Sequence, residues 1–122
     1  MSYTTVEQSK KLIEMGMNPE TADMKFRWDW NNNCPEVLPI VLEYTDWKDP
    51  GDIPCWSLDA LLHQVPFPDL WLENIGGGYM WRCSATTMVE GEIDFEAEEM
   101  SFESPIDCCY KLLVKLLEDS YV

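Results

Sequence analysis

The sequence predicts a single α+β domain over residues 1–122: an antiparallel sheet of four to five strands with three helices, the C-terminal helix packed on one sheet face. Three observations predict this class. One segment near the C-terminus alternates strictly between charged and apolar residues, which is the period of a strand. Three other segments repeat apolar residues at helical spacing behind capping residues. The 122 residues, 46% of them hydrophobic, are enough for one core and too few for two.

The first helix is predicted to begin at Thr4-Thr5-Val6-Glu7, which has the Thr-x-x-Glu spacing of a capping box. It should end near Met15, because Gly16 can adopt the left-handed conformation that closes a helix. Asn18-Pro19-Glu20-Thr21 then predicts a turn or a single helical turn, since proline suits a helix start and restricts the residue before it.

Two strands are predicted next. The first has a half-buried pattern and ends at Asn31-Asn32-Asn33; its inward residues are Met24, Phe26, Trp28 and Trp30, and its outward residues are Lys25, Arg27 and Asp29. The second lies within Val37 to Tyr44. Pro39 would remove a ladder donor, so this strand either lies at a sheet edge or begins at Ile40. Thr45 to Pro54 reads as a loop.

The middle and C-terminal helices follow from their caps and apolar stripes. Ser57 caps a short helix that ends at Pro66 and carries Leu58, Leu61, Leu62 and Val65 on one side. Ser104 caps the last helix, with Pro105 at its first position. Its stripe is the widest in the chain: Ile106, Cys109, Tyr110, Leu113, Leu116 and Leu117.

Between these helices, Leu70 to Ile75 and Tyr79 to Val89 read as a hairpin joined by Gly76-Gly77-Gly78. Glu90-Gly91 is either a second tight turn, which would give a three-stranded meander, or a bulge in one continuous strand. Both alternatives place Glu92, Asp94, Glu96 and Glu98 on one face of a strand and Ile93, Phe95 and Ala97 on the other.

The charge limits the possible partners. The formal net charge is −15, and the segment between Arg82 and Lys111 holds eight acidic residues and no Lys or Arg. Such a field repels nucleic acid and anionic membranes, and it favours a basic protein or cations. Six Trp, five Tyr and four Phe predict a packed core rather than a disordered chain.

The cysteines and the N-terminus predict a cytoplasmic protein. Five cysteines are an odd number, none is spaced as C-x-x-C, and Met1 to Val6 lacks the features of a signal peptide. We expect reduced thiols. No apolar run approaches the ~20 residues that a membrane-spanning helix needs.

The acidic strand has three interpretations. Glu92, Asp94, Glu96 and Glu98 could be a solvated outer face whose charges block edge-to-edge aggregation. They could be a docking surface for a basic protein. Within this interpretation the row could mimic DNA phosphates and occupy a DNA-binding protein, since carboxylates on alternate strand residues lie about 6.8 Å apart, twice the ~3.4 Å spacing per base step of DNA. Divalent cation binding is disfavoured, because side chains on one strand do not converge.

Candidate catalytic residues are few. His63 is the only histidine, so a histidine base would have to be His63, and Cys55 is the thiol considered as its partner. One histidine and scattered thiols disfavour a zinc site. Cys108 is predicted to point toward Lys111 and Lys115 and is a candidate surface thiol. The three glycines at 76–78 read as a turn rather than a phosphate cradle.

Three sequence blocks resemble a family of short uncharacterised proteins from prophages and mobile elements of gut bacteria. They are Ser2 to Leu12 through Thr21-Ala22-Asp23-Met24, Pro54 to Leu62, and Ser104 to Glu118. Cys108-Cys109 and Asp59 differ from the small residues expected there. The resemblance implies a phage or plasmid setting and brings no activity or catalytic residue.

The sequence therefore favours a non-catalytic acidic accessory protein that acts through protein–protein contact, with Glu92, Asp94, Glu96 and Glu98 as the interaction face. No catalytic, cofactor or metal residue is assigned, and the oligomeric state is open. The alternative is a small hydrolase or thiol enzyme that uses Cys55 and His63.

Overall fold

The structure, a computed structural model, describes residues 3–29, 31–39 and 52–119. Its helices are α1 (Val6–Glu14), α2 (Leu58–Gln64) and α3 (Pro105–Glu118), with a short 3₁₀ helix at Pro19–Thr21. Its strands are β1 (Met24–Asp29), β2 (Cys34–Pro39), β3 (Ile53–Cys55), β4 (Asp69–Ile75), β5 (Gly78–Val89) and β6 (Glu92–Ser101). The α+β class and the three helices are confirmed.

The described strands form two antiparallel sheets, not the one sheet of four to five strands that the sequence predicted. Sheet 1 has the order β2-β1-β3 and sheet 2 the order β4-β5-β6. The α3 helix packs on β5 and β6, so the predicted position of the C-terminal helix is confirmed. Local patterns identify strands but carry no information on which strands pair over long distances, which is why the sheet was predicted as one.

The first helix begins one residue later than predicted. Thr5 is the N-cap, and its hydroxyl accepts the Gln8 N–H while the Gln8 side chain accepts the Thr5 N–H. Thr4 is instead buried, and its Oγ1 accepts the Trp56 N–H at 3.0 Å. That bond occupies the hydroxyl that the predicted capping box needed. At the other end Gly16, with φ of 103°, closes the helix as expected.

Sheet 1 contains a strand that the sequence analysis assigned to a loop. Ile53–Cys55 pairs with β1, and Pro54 is tolerated because β3 lies at the sheet edge.

Lys25 was predicted to point outward, but it is buried with its Nζ 3.5 Å from the Asp52 carboxylate. Arg27 binds the same carboxylate at 2.8 Å. The shared carboxylate compensates the buried charge, which no local pattern could reveal.

Some predictions lie outside the described residues. These are Trp30, the part of the second apolar stretch at 40–44, and the loop segment at 45–51. The described part of that second stretch, with Pro39 at its end, belongs to an edge strand.

The core surrounds α3, which contacts sheet 2 and also α1 and α2. Ser104 caps the helix by accepting the Asp107 N–H at 3.0 Å, as predicted. Because α3 contacts sheet 2 and also α1 and α2, its buried side includes Cys108 and Leu112. Both residues have no solvent exposure. The surface position predicted for Cys108 is therefore wrong.

Sheet 2 is the three-stranded meander, the first of the two alternatives left open for Glu90-Gly91. Two-residue turns join its strands, at Gly76-Gly77 and at Glu90-Gly91, and all four turn residues have positive φ. Positive φ at both central residues matches the right-handed twist of the flanking strands.

We expect Leu113→Ala to lower the free energy of unfolding by about 2–5 kcal/mol, because Leu113 has no solvent exposure and its truncation leaves a cavity. Val114→Ala, one residue away and only partly buried, should cost about 1 kcal/mol. Urea unfolding of both variants checks this. Equal losses would contradict the placement of α3 at the centre of the core.

Candidate interaction surface

Sheet 2 has an inner face toward α3 and an outer face on the opposite side. Ala85 and Ala97 are cross-strand neighbours, both buried, and lie on the inner face. Since alternate residues of a strand point to opposite faces, the pairs Thr86–Glu96 and Ser84–Glu98 lie on the outer face. Glu96 and Glu98 are exposed there, as the sequence predicted.

A β-bulge interrupts the acidic row. Phe95 pairs with Thr87 and Ile93 pairs with Met88, so Asp94 is an extra residue on β6 with no partner in the register. The bulge reverses the alternation before it: Ile93 lies on the outer side with Met88, and Glu92 lies on the other side. The predicted single row of four carboxylates is therefore wrong, although all four residues are exposed.

The bulge instead mixes carboxylates with apolar side chains at the β5–β6 turn. Met88, Val89 and Ile93 are 49%, 57% and 59% exposed. We define the hairpin-end surface by seven residues: Met88, Val89, Glu90, Glu92, Ile93, Asp94 and Glu96. Within the described parts of the chain, its four carboxylates at 90, 92, 94 and 96 have no ion-pair partner.

An exposed aromatic residue lies at the same end of sheet 2. The Pro66 carbonyl accepts the Thr86 N–H at 3.1 Å, which places Phe67 beside the end of β5. Phe67 is 71% exposed and has φ of 43°. Positive φ is strained for a bulky residue, and the flanking prolines leave the backbone few alternatives.

Arg82 binds carboxylates on both sides of the central strand. It contacts Glu73 on β4, and its Nη1 lies 2.6 Å from Oε1 of Glu98 on β6. These contacts, the Glu73 hydrogen bond first, raise the pKa of Arg82. Glu98 is thus paired within the protein, whereas the ion pairs of the described residues include none of the acidic residues closer to the turn. On this face, Glu96 lies nearer the turn than Glu98 and has no ion-pair partner among the described residues.

Two open depressions lie along the described residues of β5 and β6. One has a volume of about 290 Å³ and is lined by Ser84, Thr86, Glu96 and Glu98, among others. Another of about 290 Å³ lies at the turn, between Val89 and Asp94. Sites for cofactors and drug-sized ligands usually enclose about 300–1,000 Å³ and bury most of the ligand. These depressions suit single side chains of a partner.

A third depression, of about 380 Å³, runs along α3 beside Glu99. Lys111 and Lys115 lie at its rim, but Lys111 is 3.3 Å from the Asp107 carboxylate and Lys115 is 3.9 Å from that of Glu99. The ammonium groups of Lys111 and Lys115 are therefore already paired within the protein.

The structure does not bring Cys55 and His63 together as a catalytic pair. Cys55 is fully buried, and burial, with a smaller contribution from Asp23, raises the pKa of its thiol to about 12. The His63 side chain is 70% exposed, and its Nδ1 lies 2.7 Å from the Asp59 carbonyl oxygen. A thiol nucleophile must be accessible and ionised, and Cys55 is neither.

Cys108 is equally unsuited to surface chemistry. Its thiol donates to the carbonyls of Glu99 at 3.1 Å and Trp81 at 3.4 Å, and burial raises its pKa to about 12. The described residues contain no group of three or more His, Cys, Asp or Glu side chains placed to hold a metal ion.

A comparison with protein-family models found no match, and no curated protein or solved structure matches the chain either. In the part of the chain that the structure describes, every helix is too short or too polar to span a membrane.

We expect one fast-reacting thiol in the folded protein. Cys34 is exposed, whereas Cys55, Cys83, Cys108 and Cys109 are buried. An aromatic disulfide reagent should therefore modify one thiol rapidly and the other four only after unfolding in urea. In Cys34→Ser the rapid phase should be absent. Rapid modification of Cys55 in the folded protein would instead support the thiol-enzyme alternative.

Proposed function

We propose that this protein is a non-catalytic accessory protein that binds a basic protein partner through the hairpin-end surface. The observation that carries the proposal is the combination, around the β5–β6 turn, of three exposed apolar residues with four carboxylates that have no ion-pair partner among the described residues. A phage or plasmid setting belongs to the same proposal and is supported by the sequence resemblance alone.

The apolar residues separate this proposal from a merely solvated face. Charges alone on the outer side of a strand need no partner, because they prevent aggregation. Met88 and Ile93, however, are cross-strand neighbours that expose about half or more of their surface. Burying such a pair against a partner supplies a hydrophobic contribution of ~25 cal/mol per Å² removed from water. Protein interfaces combine an apolar centre of this kind with a polar rim.

The charge determines the kind of partner. With a net charge of −15, the protein repels acidic proteins and nucleic acid at a distance and attracts basic proteins, which increases their association rate. The two depressions of about 290 Å³, both lined by carboxylates, are suited to lysine or arginine side chains of that partner.

The DNA-mimic version of this proposal lacks a supporting observation. It needs carboxylates at a regular spacing along one strand, and the bulge at Asp94 interrupts that spacing. The version that we propose requires only negative charge around an apolar centre.

The first test reverses charge. Glu92→Lys with Glu96→Lys changes the net charge from −15 to −11, since each substitution adds two units. We expect this variant to lose the partners that immobilised wild-type protein captures from the native host, with little change in melting temperature, because both residues are exposed. Glu14→Lys with Glu118→Lys makes the same change in net charge at the ends of α1 and α3 and should retain capture.

The second test removes the apolar centre without changing charge. Met88→Thr with Ile93→Thr should weaken capture at least tenfold, which corresponds to about 1.4 kcal/mol or more. Leu72→Thr, with 46% exposure in the middle of β4, is the control and should have no effect. Titration calorimetry with the captured protein measures both. Full capture by both hairpin-end variants would contradict the proposal.

A further inference from the structure

Two buried thiols lie against each other between β5 and α3. Cys109 donates a thiol hydrogen bond to Cys83, with the two sulfurs 3.4 Å apart. Both residues have no solvent exposure. They are 26 positions apart in the chain, so their contact is produced by the packing of α3 on sheet 2.

We propose that Cys83 and Cys109 form an intramolecular disulfide when the protein is exposed to hydrogen peroxide. A disulfide bond is ~2.05 Å long, so the two sulfurs, now 3.4 Å apart, must approach by roughly 1.4 Å. The inference does not depend on the proposed interaction surface.

The reaction is a two-electron oxidation in two steps. The Cys83 sulfur attacks one oxygen of hydrogen peroxide, the O–O bond breaks, and Cys83 sulfenic acid and one water form. The Cys109 sulfur then attacks the sulfenic sulfur; the S–S bond forms, the S–O bond breaks, and the hydroxyl leaves as a second water with the Cys109 proton. Two thiols and one peroxide thus give one disulfide and two waters.

The hydrogen bond assigns the two roles. The Cys109 thiol donates to Cys83, which lowers the pKa of Cys83 and raises that of Cys109. Thiolate character favours attack on peroxide, so Cys83 reacts first and Cys109 resolves the sulfenic acid. Because both thiols are buried, peroxide reaches them through local opening of the structure, and the reaction is slow.

The neighbouring cysteine provides a matched control. Cys108 is also buried, but its thiol is directed to the carbonyls of Trp81 and Glu99 and not to a sulfur. A core in which cysteines serve only as small apolar residues would treat Cys108 and Cys109 alike. The proposal requires that they differ.

The test is disulfide mapping in a Cys34→Ser background, which removes the exposed thiol that could link two molecules. Folded protein is treated with hydrogen peroxide, alkylated in denaturant and digested with trypsin. No Lys or Arg lies between Arg82 and Lys111, so all three cysteines remain on one tryptic peptide. A second digestion after glutamate separates the Cys83 piece from the Cys108-Cys109 piece, and the two stay joined only through a disulfide.

We expect a joined pair whose fragment ions place the link at Cys109. The link should be lost in Cys109→Ala and in Cys83→Ala and retained in Cys108→Ala. The same treatment of urea-unfolded protein should give mixed links to both cysteines, because the fold no longer selects one. Overoxidation of Cys83 without a link, or linkage to Cys108 at the same level in the folded Cys34→Ser protein, would overturn the proposal. Mapping of that protein decides the question even if a variant does not fold.

Discussion

Helix α3 buries a wide apolar arc against the inner face of sheet 2 and also contacts α1 and α2. This packing is the constraint on which the other elements depend. It covers the small residues Ala85 and Ala97, which let the helix lie close to the sheet. It also places Cys109 beside Cys83 and encloses Cys108. The outer face of the sheet is left free to carry charge.

Local chemistry made a large part of this fold predictable. The caps Ser57 and Ser104, the closing Gly16 and the turn at Gly76-Gly77 were predicted, because each depends on interactions within a few residues. The turn at Glu90-Gly91 was one of two alternatives that the sequence left open. Contacts over long distances were not predictable. The Thr4 hydroxyl was assigned to the wrong cap because it binds Trp56, more than fifty positions away. Lys25 was predicted to be exposed because Asp52 could not be recognised as its partner.

The interaction surface was predicted in composition and not in geometry. Strict alternation from Glu92 to Glu98 identified an exposed acidic strand. The extra residue Asp94, however, moves Glu92 and Ile93 to the opposite faces of the sheet from those predicted. Nothing in the sequence indicates that residue as a bulge, since it fits the alternation as well as its neighbours do. The consequence is chemical: Ile93 moves out beside Met88, and a purely charged face becomes a mixed one.

The position of α3 after all the described strands has a consequence for biosynthesis. The ribosome synthesises the meander β4-β5-β6 before the helix that covers it. Until α3 packs, the sheet exposes its apolar side to water, with Ala85 and Cys83 at its middle, and such a surface is prone to associate with other chains. The negative charge of β6 opposes that association, because like charges on neighbouring copies repel one another.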